Sequence, residues 1–553
     1  MHITKLKISN FKKFKETKNI FDFNEDINIL VGDNESGKST ILEAIDIGFN
    51  CSYRDKSLYS GLAPDLFNVE AVSKYLASDK SSIHLPEICI ELFLDGVPEY
   101  RGKNNSLSED AQGISLTIKF DADFEPTYDE FIKNASDLKT IPVEFYKIEW
   151  FDFAGNKIKY ITRKAHCLFV DPVRLHPTYG KNQYISKIIK IALPKEQQTL
   201  LGISYRQLKE LFNDQPQVSQ INKQLDSDNV VTEKELKIVA NVSSANSVET
   251  GLQFAVDSIN FPLIGRGEQS NIQIKLAIQN KSGNIDIIMV EEPENHLSHI
   301  NLSKMVKYIE DQRKEKQLFI TTHSSYVANK LSLDKLCLIS EKYIRLKDID
   351  SDVTKRLKRL PGYDTLRVLL SKKVVLVEGP SDELILKKIY LGVHNNRLPE
   401  QDGIDIIVVR GIGFENNLEI AKHIGTRLNV VKDNDGDYQK NIVDYKKAYQ
   451  GCNSIQFTSE ENDDLYSLEP AMIGSNCENE KKLDAYAKIV LSSVTFKDYE
   501  KEKDLTKKVS FLRKWYEGEG GSKKKVDSAI RVFDSKEKNI KYPKYLEDAL
   551  KFE

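Results

Sequence analysis

The sequence predicts an α/β protein of several domains, and three observations predict it. A Gly-rich loop, Gly32-Asp33-Asn34-Glu35-Ser36-Gly37-Lys38-Ser39, follows the apolar strand-like run Ile27-Asn28-Ile29-Leu30-Val31 and opens a helical pattern. A second buried run, Ile287-Ile288-Met289-Val290, ends in the acids Glu291-Glu292. From 374 to 432, strands and helices alternate: strand 374–377, helix 381–391, strand 404–409, helix 416–426, strand 428–432. That order reads as a parallel sheet.

The chain of 553 residues is too long for one core and points to roughly three to four domains. Its 40% hydrophobic and 29% charged residues are those of a soluble globular protein. No apolar run reaches the ~18 residues of a membrane helix, and the N-terminus alternates like a strand rather than a signal peptide. Six scattered cysteines without a C-x-x-C pair argue against a zinc or disulfide framework and predict a cytoplasmic protein. A net charge of −3 excludes a wholly basic nucleic-acid binder but not a nuclease, whose acidic cluster offsets basic surface such as Lys507-Lys508 and Lys523-Lys524-Lys525.

In order, residues 1–50 read strand, turn, strand, Gly-rich loop, helix. Residues 82–150 read as antiparallel strands, including Ile88–Leu94 and Ile114–Ile118, and that style continues through Val143–Tyr146 and Lys159–Ile161. From 176 to 245 leucines, isoleucines, glutamines and lysines take helical spacing (Leu201, Leu208, Leu211, Phe212), which predicts an inserted helical segment used for self-association. Strands return at 285–290 and 317–321. The expected partition is 1–175 and 246–345 for one split domain, 176–245 for the insertion, 346–370 for a linker, and 371–553 for a second α/β domain with a helical, lysine-rich tail.

The loop G-x-x-x-x-G-K-S between strand and helix is a P-loop. Its amides, with Asn34, Gly37 and Thr40, would surround phosphates of ATP; Lys38 would reach the β- and γ-phosphates, and Ser39 would ligate Mg²⁺. Glu291 would hold the Mg²⁺ shell and Glu292 would activate water. Two adjacent acids at a strand end repel one another and so imply a task.

In the second α/β unit, Val374–Val377 ends in Glu378-Gly379, with Asp382 four residues after Glu378. Leu428–Lys432 ends in Asp433-Asn434-Asp435-Gly436-Asp437. Hard oxygen donors at strand ends suit Mg²⁺ or Mn²⁺. The triplet also has the spacing of a calcium loop, but the sixth and twelfth positions from Asp433 hold Tyr438 and Asp444 rather than Gly and Glu, which argues against an EF-hand.

With Thr321-Thr322-His323-Ser324 and Gly265-Arg266-Gly267-Glu268-Gln269-Ser270 added, the first part resembles the ABC-type ATPases of DNA repair and chromosome maintenance, over about residues 1–50 and 250–330. The resemblance implies that His323 senses the γ-phosphate. It makes Gly265 and Gly267 part of a signature segment touching ATP across a dimer, and Asn295-His296-Leu297 an interface loop. The family's glutamine has no matching motif; Gln112 is the one candidate. The second part resembles a TOPRIM domain. With Ser467-Leu468-Glu469-Pro470 and Lys525-Val526-Asp527-Ser528-Ala529, the whole order resembles the OLD (overcoming lysogenization defect) family, of the kind found in Gabija-like or retron-associated anti-phage systems. The fold this implies is an ABC-type ATPase head with a helical insertion, followed by a TOPRIM domain with a Rossmann-like parallel sheet.

That resemblance implies a metal-dependent DNA endonuclease. Its catalytic set is Glu378, Asp382, Asp433, Asp435, Glu469 and Lys525, with Glu292 in the ATPase. Its metal ligands are Glu378, Asp382, Asp433, Asp435, Asp437 and Glu469, with Ser39 and Glu291 in the ATPase. Lys525 would stabilise the phosphate during cleavage, with Lys523 and Lys524 as neighbouring alternatives. The implied cofactors are ATP and Mg²⁺ or Mn²⁺. The implied partners are DNA, a second copy of the chain or a larger homo-oligomer, and a helicase or a reverse transcriptase with its nucleic-acid product. The competing reading is an ATP-driven DNA clamp or sensor without nuclease activity. A topoisomerase would need a further DNA-gate domain, and no segment is left for one.

Overall fold

The structure, a computed structural model, describes residues 1–552 apart from 17–18, 54–55, 135–137, 160–163, 165, 172–192, 228–233, 241–254, 280–284, 296, 313–315, 325–326, 328–330, 332, 341–342, 349–362, 410–413, 519 and 538. It divides into two compact units, Met1–Leu346 and Lys347–Glu553.

The first unit holds two six-stranded sheets. One is antiparallel: Asn19–Asp22, His2–Ser9, Ile88–Asp95, Ala111–Phe120 and Arg101–Gly102 in spatial order, with Tyr146–Asp152 also paired to Ala111–Phe120. The other runs Cys167–Val170, Ile287–Glu291, Gln317–Thr321, Ile27–Val31 and Leu336–Ile339 in parallel, and Tyr343–Arg345 closes it antiparallel. Ile27–Val31 is buried at every position, as a continuous apolar run in a parallel sheet should be. The sequence-predicted strand at 143–146 starts late: Val143–Phe145 is a 3-10 turn and the strand begins at Tyr146.

The helix Lys38–Asn50 packs against both sheets. Its Gly48 allows the approach, because a Cβ there would stand 2.6 Å from Leu92 Cδ1. On the same turn the Trp150 indole N–H donates to Gly48 O at 2.9 Å. The two sheets are tied directly by Gln317, which is fully buried. Its Oε1 accepts from Ile3 N at 2.7 Å, and its Nε2 donates to Ile3 O at 2.8 Å and to Asn24 O at 2.7 Å. Gln317→Leu strands three buried backbone groups and is expected to cost roughly 3 kcal/mol or more. Denaturant unfolding of the Gln317→Leu chain checks this; an unchanged midpoint refutes it.

Of the insertion, the helices Lys195–Asn213 and Pro216–Ser227 are described. They leave Leu200, Leu208, Leu211 and Phe212 exposed. The start of the insertion and most of the 346–370 linker lie outside the described residues.

The second unit is a four-stranded sheet, all parallel, in the order Ile404–Val408, Lys373–Val377, Arg427–Val431, Ile455–Thr458. The helices Pro380–Val393 and Phe414–Ile424 alternate with the strands within a residue or two of the expected positions. The tail is helical, from Leu468 to Ala549. Buried Asn429 fastens its end, donating to Ala549 O at 2.7 Å and Lys551 O at 3.0 Å. Among the described residues no helix is long and apolar enough to cross a membrane.

Candidate nucleotide site and acidic cluster

Gly37 takes φ +107°, a conformation open to glycine, and lets the chain turn from loop into helix. Its α-carbon lies against the Phe14 ring, where a Cβ would stand 2.8 Å from Cζ. The P-loop borders a cleft of about 580 Å³ lined by Lys12, Lys13, Asn34, Glu35, Ser36, Gly37, Lys38, Ser39, Thr40, Glu292 and His323. Lys38 is buried, and its ammonium donates to Gly32 O and Asp33 O, both at 2.9 Å. Burial lowers its pKa, against the pull of Glu292, Asp33, Glu291 and Glu294. Ser36 Oγ is buried without a hydrogen-bond partner. A bound triphosphate fits this loop: it would give the Lys38 ammonium an anionic partner and the orphaned hydroxyl a hydrogen-bond partner.

The acids arrive from the neighbouring strands. Glu291 lies opposite Thr321 in the parallel register. Glu292 sits at φ +40° and is held there by its N–H, which donates to Thr321 O at 3.0 Å and to Thr321 Oγ1 at 3.1 Å. Its carboxylate meets His323 Nε2 at 3.2 Å and accepts from Asn295 Nδ2 at 2.8 Å. A non-glycine residue in this region stores strain that surrounding bonds must hold. Glu294, which the motif reading passed over, ties the loop together: its Oε1 accepts from Thr322 Oγ1 at 2.7 Å, His323 N at 2.8 Å and Ser324 N at 3.1 Å. Lys12 and Lys13 were also missed, because they come from the turn after the first strand and only folding brings them to the cleft.

Gly265 and Gly267 do not line this cleft. They lie where the helix Arg266–Gln279 begins, and Gly265 is exposed. Gln112 is a sheet residue whose side chain accepts from Val97 N at 2.6 Å. In the 295–297 loop, His296 lies outside the described residues.

In the second unit the candidate acids gather at the C-terminal ends of the parallel strands, the usual ligand edge of such sheets. Glu378 follows Lys373–Val377 and Asp433 follows Arg427–Val431, two directly paired strands. Glu378 Oε1 accepts from Asp433 N at 3.2 Å and lies 3.9 Å from Lys432 Nζ. Asp382 is buried in the first turn of Pro380–Val393 and accepts from Gly379 N at 3.0 Å. Glu469 is buried in the first turn of Leu468–Asn476. Asp435 stands exposed at φ +51°, its N–H donating to Tyr466 O at 3.2 Å. Between the two aspartates Asn434 is buried and anchors the loop, donating to Glu460 O at 2.8 Å and Asn462 O at 3.1 Å. The sequence offered it only as a spacer.

Burial raises the pKa of Glu378. Burial, then repulsion from Glu469 and Glu378, pushes Asp382 to about 7. Burial, then Asp382, Glu378 and Glu469, pushes Asp433 to about 8. Within the lysine run, Lys525 reaches the acids: its Nζ lies 3.0 Å from Glu469 Oε2. Lys524 instead donates to Trp515 O at 2.9 Å. Burial would lower the Lys525 pKa, but Glu469 and Asp433 outweigh it and raise it. Asp437 stands apart from this group; it is exposed, and its Oδ1 accepts from Lys440 N at 3.0 Å.

Five carboxylates and no nitrogen or sulfur ligand make a donor set suited to Mg²⁺ or Mn²⁺. Among the described residues no three His, Cys, Asp or Glu side chains are grouped around one point so as to hold an ion as they stand. Unfolded, Asp382 and Asp433 ionise near the ordinary 3.8. The folded unit keeps their protons to about 7 and about 8. It therefore binds more protons than the unfolded chain in between, and loses stability as pH rises from about 4 to about 8. Asp433→Asn should flatten that slope in thermal melts across this range. Mn²⁺, which must displace those protons, should bind more tightly as pH rises through the same window.

Residues 1–328 match the family model of an AAA ATPase domain, and residues 369–435 match that of the overcoming lysogenization defect protein-like TOPRIM domain. No curated protein matches the chain. Among solved structures, the chain is similar to an SMC head bound to the C-winged helix domain of ScpA, with 15% identity, 63% of this chain and 99% of that one covered, and a TM-score of 0.33. It is similar to the SMC head domain from Thermotoga maritima, with 14% identity, 62% and 96% coverage and a TM-score of 0.28. It is also similar to the recombination mediator RecF with ATP, with 12% identity, 62% and 99% coverage and a TM-score of 0.31. With the AAA ATPase model covering more than half of its length and the OLD-like TOPRIM model following it, the chain belongs to the OLD family of ATPase–TOPRIM proteins.

Proposed function

We propose that this protein is an ATP-binding, metal-dependent DNA endonuclease. The observation that carries the reading is the acidic set of the second unit: Glu378 and Asp433 end two paired parallel strands and are joined by Asp433 N to Glu378 Oε1, Asp382 and Glu469 lie buried in the first turns of two helices, and Lys525 stands 3.0 Å from Glu469. A binder of DNA gains nothing from clustered negative charge unless cations offset it. Glu378, Asp382, Asp433, Asp435 and Glu469 would hold the divalent ions, and Asp437 would stay outside the inner set. Such ions, when bound, activate water and stabilise the leaving oxygen of a phosphodiester. Lys525 would contact the phosphate, and the strand-end backbone would fix where the acids stand.

In the first unit, the P-loop residues Asn34 to Thr40 would bind the triphosphate, with Ser39 and Glu291 on its Mg²⁺. Glu292 would accept the proton of the attacking water, oriented by Asn295 and His323. His323 would report the γ-phosphate back to Glu292 through their contact. Gly265 and Gly267 would act from a second copy of the chain, with the exposed apolar positions of the insertion helices favouring self-association. We read the whole as a cytoplasmic effector of anti-phage defence in which the ATPase governs cleavage. The family resemblance supports this, and a helicase or reverse-transcriptase gene beside it would name the partner.

The test is supercoiled plasmid with purified protein and Mg²⁺ or Mn²⁺, with and without ATP. Nicked or linear product that EDTA prevents is expected. Plasmid left intact in every metal and nucleotide condition, including with neighbouring gene products, would leave the clamp or sensor reading.

A further inference from the structure

We propose that Lys525 is a built-in counter-ion that competes with a divalent cation for Glu469, so that full metal loading of the cluster is coupled to arrival of a substrate phosphate. This rests on the endonuclease reading and deepens it.

Glu469 is 6% exposed, so its charge needs a partner. The partner present is the Lys525 ammonium, 3.0 Å from Oε2, the same oxygen that Ser467 Oγ approaches at 3.4 Å. A divalent ion on this carboxylate would stand beside that ammonium, and the like charges would repel. The lysine is placed to leave. Its side chain is 42% exposed on the second turn of Gly521–Asp534, and a four-carbon stem gives it reach. Two nearby lysines are engaged elsewhere: Lys524 donates to Trp515 O and Lys432 sits at Glu378.

A phosphate is an alternative partner for the ammonium. Once the phosphate takes it, Glu469 is free for an ion. By linkage, each event favours the other to the same degree. The arrangement would keep the centre partly loaded until a backbone phosphate lies in it.

The experiment is Mn²⁺ titration of the full chain by calorimetry and by electron paramagnetic resonance, on wild type, Lys525→Gln and Lys525→Met. Thermal melts establish that each is folded. Removing the ammonium should tighten the weaker class of Mn²⁺ sites by about tenfold or more, as expected when a close like charge is removed. Adding Glu469→Gln to Lys525→Gln should erase the gain. A short DNA duplex, matched in the reference cell, should tighten the same class in wild type but not in Lys525→Gln. Equal Mn²⁺ binding by wild type and both Lys525 variants overturns the competition while leaving the metal centre in place. No Mn²⁺ binding by any folded variant, with or without DNA, overturns the metal-dependent nuclease reading itself.

Discussion

Asp433→Asn is expected to abolish metal-dependent DNA cleavage while leaving ATP hydrolysis intact. Asp433 is coupled to the other acids: after burial, Asp382, Glu378, Glu469 and Asp435 all act on its charge, and its backbone N–H fastens Glu378. The amide keeps the shape and removes the anion. Lewis-acid stabilisation by a bound metal is worth several kcal/mol in the transition state, so the loss should be on the order of 10³-fold. The measurement is the rate of plasmid conversion with Mn²⁺ for wild type and variant, beside phosphate release by both. Cleavage within a fewfold of wild type would remove Asp433 from the chemistry. The swap should also relieve repulsion, so the variant should melt no lower than wild type in the absence of metal.

Lys38→Ala has the second large expected effect. Its ammonium holds Gly32 O and Asp33 O at 2.9 Å, in the floor of the cleft. Removing a preorganised cation that meets developing phosphate charge costs on the order of 10²–10³ in rate. ATP turnover should fall by that factor and nucleotide affinity should fall with it, while Mn²⁺ binding at the acidic cluster stays unchanged. Equal phosphate release by wild type and Lys38→Ala would dismiss the P-loop assignment. Cleavage measured on the same variant then reveals the sense of control. Faster cutting means that nucleotide restrains the nuclease, and slower cutting means that it licenses it.

The parts legible in the sequence are those whose chemistry is local. A P-loop needs glycine where φ turns positive and lysine one step later, so six or eight letters suffice. Strand-end acids are legible for the same reason, since burial of the preceding run fixes where the next residue emerges. Partners hundreds of residues apart in sequence were not legible. Gln317 reads as an ordinary glutamine until the fold brings Ile3 and Asn24 against it. Glu294 reads as a third acid after a pair until its carboxylate collects three donors from the 322–324 turn. The choice among Lys523, Lys524 and Lys525 depended on helix phase, which a run of identical residues hides. Alternation in D-x-D-x-D suggested Asp437 as a third ligand; what the sequence did not show is that its Oδ1 accepts from Lys440 N in the turn.

The strand order of the first unit also bears on how the chain is made. Ile27–Val31 is flanked by Gln317–Thr321 and Leu336–Ile339, so both neighbours of the P-loop strand are synthesised long after it. At ribosomal rates of about 5–20 residues per second, the first ~30 residues wait roughly 15–60 s for them. During that interval the nascent segment carries an unpaired apolar strand, and the closing loop spans the entire insertion. The nucleotide pocket therefore cannot form early, and assembly should be slow and dependent on protection by chaperones, as high contact order demands. Nucleotide binding therefore has to wait until the strands at 317–321 and 336–339 have been made.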